Sequence, residues 1–242
     1  IMPFSFISEG FKFYKNSFYS FTIKTFPVFL LIGISSSAGE TFLNDERFFT
    51  WGALFFIFTN MFLNPFIAVL SVLLVNDLIS DSLKETIGYY LVSLQIFFKL
   101  FILSLALSLI TLVGLFLFII PGVYLASRLI LAPFFLIIEN CKIVEALDKS
   151  WQTTGTQQIQ FVYLLLLYWF VLLIPYFLVI SLFSVMLINE GATRIPFFLN
   201  VGLNSALSYF QMVLLAFPLL FVFKGVRSSC LLYTSPSPRD CQ

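Results

Sequence analysis

The sequence predicts an all-α polytopic membrane protein, with about six transmembrane helices and three cytoplasmic amphipathic helices. Three observations predict it. Of the 242 residues, 60% are hydrophobic and 10% charged, with a mean hydropathy of +1.01. A soluble domain of this size cannot cover that much apolar side chain with a polar surface, whereas a lipid-facing surface has no water to avoid. Long runs then recur near the ~20 residues that cross a hydrocarbon layer about 30 Å thick. Finally, Phe118 to Phe135 (FIIPGVYLASRLILAPFF) holds two apolar runs parted by Pro121-Gly122, with a single charge, Arg128. A Pro-Gly break between apolar runs reads as a tight helical hairpin.

Taken in order, Ile7, Phe11, Tyr14 and Phe18 fall on one helical face, with Glu9, Lys12, Lys15 and Asn16 elsewhere. This is the first amphipathic helix, too charged for a signal-peptide core and followed by no cleavage site. The chain opens on Ile1, which reads as a truncated or mis-assigned start. The first span runs from about Phe18 to Ser37 and contains Lys24 and Pro27. Lys24 can snorkel to the near interface. Gly39 to Thr50 is a polar connection, and Trp51 to Val75 is a charge-free second span with Asn60, Asn64 and Pro65 inside it.

Asn76 to Gln95 returns to water. Ser82 and Glu85 fit a capping box, and Leu83, Ile87, Tyr90, Leu91 and Leu94 share a face, which predicts the second amphipathic helix. Ile96 to Ile120 is the third span, where Ser104, Ser108, Thr111 and Gly114 offer a small-residue face. The fourth span follows Pro121-Gly122 to Ile138, bent at Pro133. Within Glu139 to Gln160, Ile143, Leu147 and Trp151 oppose Glu145, Asp148 and Lys149, giving the third amphipathic helix. Phe161 to Ile188, interrupted at Pro175, is the fifth span, and Phe197 to Phe223, with Asn200, Asn204 and Gln211, is the sixth. Each pair of spans follows an amphipathic segment, a weak repeat of pattern rather than of residues.

With six spans both ends share a side. Lys12, Lys15, Lys24, Lys84, Lys99, Lys142, Lys149, Lys224 and Arg227 lie there, against Arg47 and Arg194 opposite. The positive-inside rule therefore puts both termini in the cytoplasm. Residues 1–227 read as one membrane domain. From Ser228 the chain turns to SSCLLYTSPSPRDCQ, which resembles translated sequencing-adapter DNA; the alternative is a disordered Ser/Pro tail.

The chemistry is sparse. There is no histidine, so the commonest metal ligand and general base are missing, and the cysteines Cys141, Cys230 and Cys241 have no paired spacing. No catalytic set, cofactor loop, metal cluster or nucleic-acid-binding pattern is visible. The candidate polar core is Arg128, Asn60, Asn64, Asn200, Asn204 and Gln211. Buried amides join helices at roughly 0.6 to 2 kcal/mol per interaction or line a substrate path. A central arginine costs at least about 2.5 kcal/mol to insert, so Arg128 calls for partners: Asn, Ser, Tyr, backbone carbonyls or a lipid phosphate.

The run from Lys99 through Trp151, with Pro121-Gly122, Ala132-Pro133 and Ser150-Trp151, resembles the YciC-like bacterial inner-membrane proteins. NVGLN at Asn200 to Asn204 and FYKNSF at Phe13 to Phe18 fit the same pattern, so the resemblance covers nearly the whole chain to Arg227. Similar hairpins occur in the membrane part attached to some bacterial glycerophosphodiester phosphodiesterases, whose chemistry lies in a separate soluble domain. The resemblance implies a six-span inner-membrane protein and brings no assigned activity. Two functional expectations stand beside it. One is a non-enzymatic protein of envelope organisation or an assembly partner, with the bilayer and a membrane-protein partner or a second copy as its contacts. The other is a transporter or lipid-handling protein whose polar residues converge on one cavity.

Overall fold

The computed structural model describes residues 3–43, 47–155, 158–189 and 196–233. These are almost entirely helical, with no strand among them. The helices are α1 (Pro3–Leu43), α2 (Phe49–Phe58), a π-helical turn (Thr59–Leu63), α3 (Asn64–Ile79), α4 (Thr86–Leu117), α5 (Ile119–Leu129), α6 (Ala132–Glu139), α7 (Ile143–Gly155), α8 (Gln158–Asn189) and α9 (Phe197–Tyr233). Among the described residues, five segments are long and apolar enough to cross a membrane: Ile7–Leu43, Phe49–Ile79, Thr86–Gly114, Ile120–Glu139 and Phe197–Val226. The predicted fifth span lies in α8, one continuous helix of 32 residues.

The first and last helices form the central pair. A side chain at Gly33 would run into the Ser205 side chain and the Val201 carbonyl, and one at Gly10 would meet the Phe217 carbonyl at 3.0 Å. Such close backbone approach is what small residues permit between helices in lipid, where no hydrophobic force drives them together. Phe21, Phe29 and Phe217 pack edge-on in the seam, with Phe21–Phe217 and Phe29–Tyr209 ring centres 5.0 and 5.1 Å apart. A chain of hydroxyls crosses the same seam. Thr22 donates to the Phe18 carbonyl at 2.7 Å, so the Tyr209 hydroxyl donates to Thr22 (2.7 Å) and Tyr14 donates to Tyr209 (3.1 Å).

Several local expectations change. The first amphipathic segment is continuous with the first span, as the 41-residue α1, with Pro27 inside it. The capping box at Ser82 and Glu85 does not form: α4 begins at Thr86, and Glu85 at its N-cap makes no side-chain bond. The preceding turn is held instead by Tyr89. Its hydroxyl accepts from the Lys84 amide (3.1 Å) and donates to Asp77 (3.2 Å), while Lys84 pairs with Asp77 at 3.7 Å. The second amphipathic segment is thus the opening of α4, its Ile87, Leu91 and Leu94 face exposed. Only the third is a separate helix, α7.

The Pro-Gly hairpin is present, but the break falls at Phe118, which is extended (φ −167°, ψ 152°) between α4 and α5. Pro121 sits in the first turn of α5, where its missing N–H costs nothing. Gly122 lets the helices touch, because a Cβ on Gly114 would lie 2.8 Å from the Gly122 Cα. At Pro133 the helix stops rather than bends: α5 ends at Leu129 and Pro133 lies in the first turn of α6. Asn140 closes α6 in the left-handed region (φ 48°), a role asparagine tolerates, and accepts from Lys99 at 2.8 Å. Helix α9 continues past the expected stop at Arg227 to Tyr233, and the rest of the tail, 234–242, lies outside the described residues.

Gly33→Ala should weaken the folded state by about 1–3 kcal/mol, since its Cβ meets a backbone carbonyl that cannot swing away. Gly202→Ala, with nothing within 4 Å, should be neutral or slightly stabilising. Thermal unfolding of both variants in mild detergent checks the pair.

Candidate functional site

The six candidate polar residues divide into separate groups. Arg128 lies in the last turn of α5, facing α7. Its Nη1 donates to the Trp151 carbonyl at 2.9 Å and its Nε to the Tyr124 hydroxyl at 3.4 Å. The guanidinium stands 4.6 Å from the centre of the Trp151 ring, and the Tyr124 and Trp151 rings meet edge-on at 6.1 Å. The backbone completes a reciprocal lock, because Ser150 and Thr154 donate their hydroxyls to the Arg128 carbonyl at 2.8 and 3.0 Å. A side chain at Gly155 would strike Nη1 at 2.6 Å, so glycine makes room for the guanidinium. The cation also sits by the C-terminal end of α7, where the helix dipole is negative.

The next turn of α7 carries Lys149, which bridges Glu139 (2.9 Å) and Glu145 (2.7 Å). Its ammonium holds the Glu145 carboxyl below the ordinary carboxylate range. These groups are water-exposed enough that the bridge contributes little stability. Cys141, buried beneath α6, donates to the Phe135 carbonyl at 3.4 Å, and burial pushes its thiol above its usual range. It has the character of an inert structural thiol.

Asn200 and Asn204 come together on α9, but against α1 rather than Arg128. Asn200 donates to Glu40 at 2.6 Å, and Asn204 donates to the Ser37 hydroxyl at 3.2 Å and to Asn200 at 3.4 Å. Sequence reasoning left Glu40 and Ser37 in or near a polar connection; their helical spacing on the end of α1 is the signal that could have found them. Asn60 and Asn64 pair with each other at 3.3 Å on the outside of the second span. Gln211 is exposed on α9 and makes no hydrogen bond among the described residues.

Arg128, the Asn200–Asn204 pair and the Asn60–Asn64 pair share no hydrogen-bond partner. None of them lines the apolar crevice between α1, α8 and α9 (Ile7, Phe11, Tyr168, Leu214) or the one between Phe62, Phe66 and Phe97. No group of three His, Cys, Asp or Glu side chains converges among the described residues. What the arrangement can do chemically is join helices, through amide, hydroxyl and guanidinium bonds to neighbouring backbone. Comparison with protein-family models, curated proteins and solved structures yields no match.

Arg128→Leu should free α7 from α5. The expected loss is about 1–3 kcal/mol for the charge-assisted bond, with a further ~0.5–2 kcal/mol for the stacked ring. In a Trp51→Phe/Trp169→Phe background the remaining Trp151 emission should shift to the red, and Arg128→Lys should fall between the two. Unchanged emission and unfolding temperature would show that α7 docks without this contact.

Proposed function

We propose that this chain is a non-enzymatic integral protein of the bacterial inner membrane, acting in envelope organisation or as an assembly partner. The observation that carries this reading is the use of its polar side chains. Arg128 is taken up by α7, and Asn200 and Asn204 by α1, in bonds that fasten one helix to the next. A transport path would need such groups to face a common space, and the groups named here have different neighbours.

The orientation rests on the distribution of lysines. Lys24 donates to the Lys84 carbonyl at 3.3 Å, Tyr90 donates to the Lys24 carbonyl at 2.8 Å, and Asp77 lies within electrostatic reach of Lys224. Basic residues from α1, α9 and the turn before α4 therefore share one end. Glu40 and Asn200 mark the opposite end, about 24 Å away along α1 at 1.5 Å per residue. The lysine-rich end faces the cytoplasm in this reading. The inner-membrane assignment is also supported by the resemblance of Lys99 to Trp151 to the YciC-like proteins.

Two measurements test the proposal. Asp81→Cys should react with a membrane-impermeant thiol reagent only after the cytoplasmic face is opened, and Thr41→Cys from outside. Protein purified from native membranes in mild detergent should retain a protein partner or a second copy. A stoichiometric bound solute whose retention needs Arg128 would overturn the non-transport reading.

A further inference from the structure

The second span carries two amides where its neighbours do not reach. Phe49–Ile79 is 31 residues long, and Asn64 stands at its midpoint. Asn60 is one turn away, about 6 Å along the axis, so both lie near the middle of the hydrocarbon layer. Asn60 and its neighbours Phe56, Ile57 and Met61 are exposed on the outside of the molecule, and Asn64 is half-buried.

Their hydrogen bonds can be counted. Asn60 donates one N–H to the Phe56 carbonyl at 3.0 Å, and its Oδ1 accepts one N–H from Asn64 at 3.3 Å. Each side-chain NH₂ has a second proton, and the Asn64 Oδ1 accepts none among the described residues. Two donors and an acceptor are thus left without a partner among the described residues, and hydrocarbon cannot bond them. Asn200 and Asn204 of α9, by contrast, are turned onto α1.

We infer that this face of α2 and the π turn is the contact between two copies of the chain. An amide is both donor and acceptor, so a twofold axis beside the Asn60–Asn64 pair lets a free N–H of each copy bond the free oxygen of the other. A single patch meeting itself thus offers both partners of the bond, with no second surface required. The exposed Phe56, Ile57 and Met61 form the apolar rim that packs around the amides. The inference deepens the assembly reading above and depends on it for the location of this span in lipid.

The test uses the full chain in liposomes of bacterial lipid, labelled separately with donor and acceptor dyes. Energy transfer is followed as the protein-to-lipid ratio is lowered. Wild type should associate, and Asn60→Leu/Asn64→Leu should need about a tenfold or higher ratio for the same transfer, a factor matching the loss of one or two interhelical amide bonds. Asn60 is exposed, Asn64 is half-buried, and their side chains bond only within their own span, so folding should hold; Asn60→Ala/Asn64→Ala gives the same readout with smaller side chains. Gln211→Leu, which removes an exposed amide from α9, should leave the transfer unchanged. Equal association of the double variant and wild type, or no self-association of wild type, overturns the inference. A different membrane protein captured through Asn60 and Asn64 overturns the second copy while leaving the assembly reading intact. Association with nothing overturns both.

Discussion

The clasp between α1 and α9 is the contact on which the rest depends. It joins the first described helix to the last, and α3 packs against both. Lipid supplies no hydrophobic push between helices, and the clasp must rely on close packing and short polar contacts. The seam shows both, in the backbone approach at Gly33 and Gly10 and in the directed chain from Tyr14 through Tyr209 to Thr22. The α2–π segment then fastens to α1 by a buried bond from Thr59 to Ser35 at 2.6 Å. Val69, Leu70 and Leu74 of α3 join Phe217, Leu220 and Phe223 of α9 in one core cluster.

The helical class and most of the spans are legible in the sequence because they need only composition and length. The local breaks are less so. Pro121-Gly122 marks the hairpin, yet the extended residue is Phe118, because proline is welcome in the first turn of a helix and the chain must break before it. Ser82 and Glu85 have the right spacing for a cap. They lose to Tyr89, whose hydroxyl satisfies the Lys84 amide and reaches Asp77 at the same time. That competitor stands one turn inside α4, and no short pattern contains it.

Arg128 shows a different limit. The residue is conspicuous as a charge within an apolar run, but its partners lie on a helix that amphipathicity places in water. The stripe of Ile143, Leu147 and Trp151 draws the eye, whereas the docking face of α7 is Ala146, Ser150 and Thr154, all buried. Two hydroxyls at i and i+4 followed by glycine describe a surface suited to receiving a carbonyl and a guanidinium. The pattern is polar, so a search for apolar periodicity passes over it.

Pro65 explains why the second span needs its π turn. Proline offers no N–H, and a regular α-helix through this point would leave a carbonyl of the preceding turn without its donor. The wider turn at Thr59–Leu63 takes up one extra residue, which in a regular helix would rotate everything beyond it by about 100°. Absorbing that rotation is what keeps the buried stripe straight. Gly52 and Thr59 are a heptad apart, as are Ile67 and Leu74, and all four are buried. Thr59 and Ile67 are separated by one residue more than a heptad, and the turn absorbs the surplus. The same residue count carries one face toward α1 and the core along the whole span while the amides beside Thr59 remain turned away from it. A regular helix of this sequence would have to bury one half of the span on the wrong side.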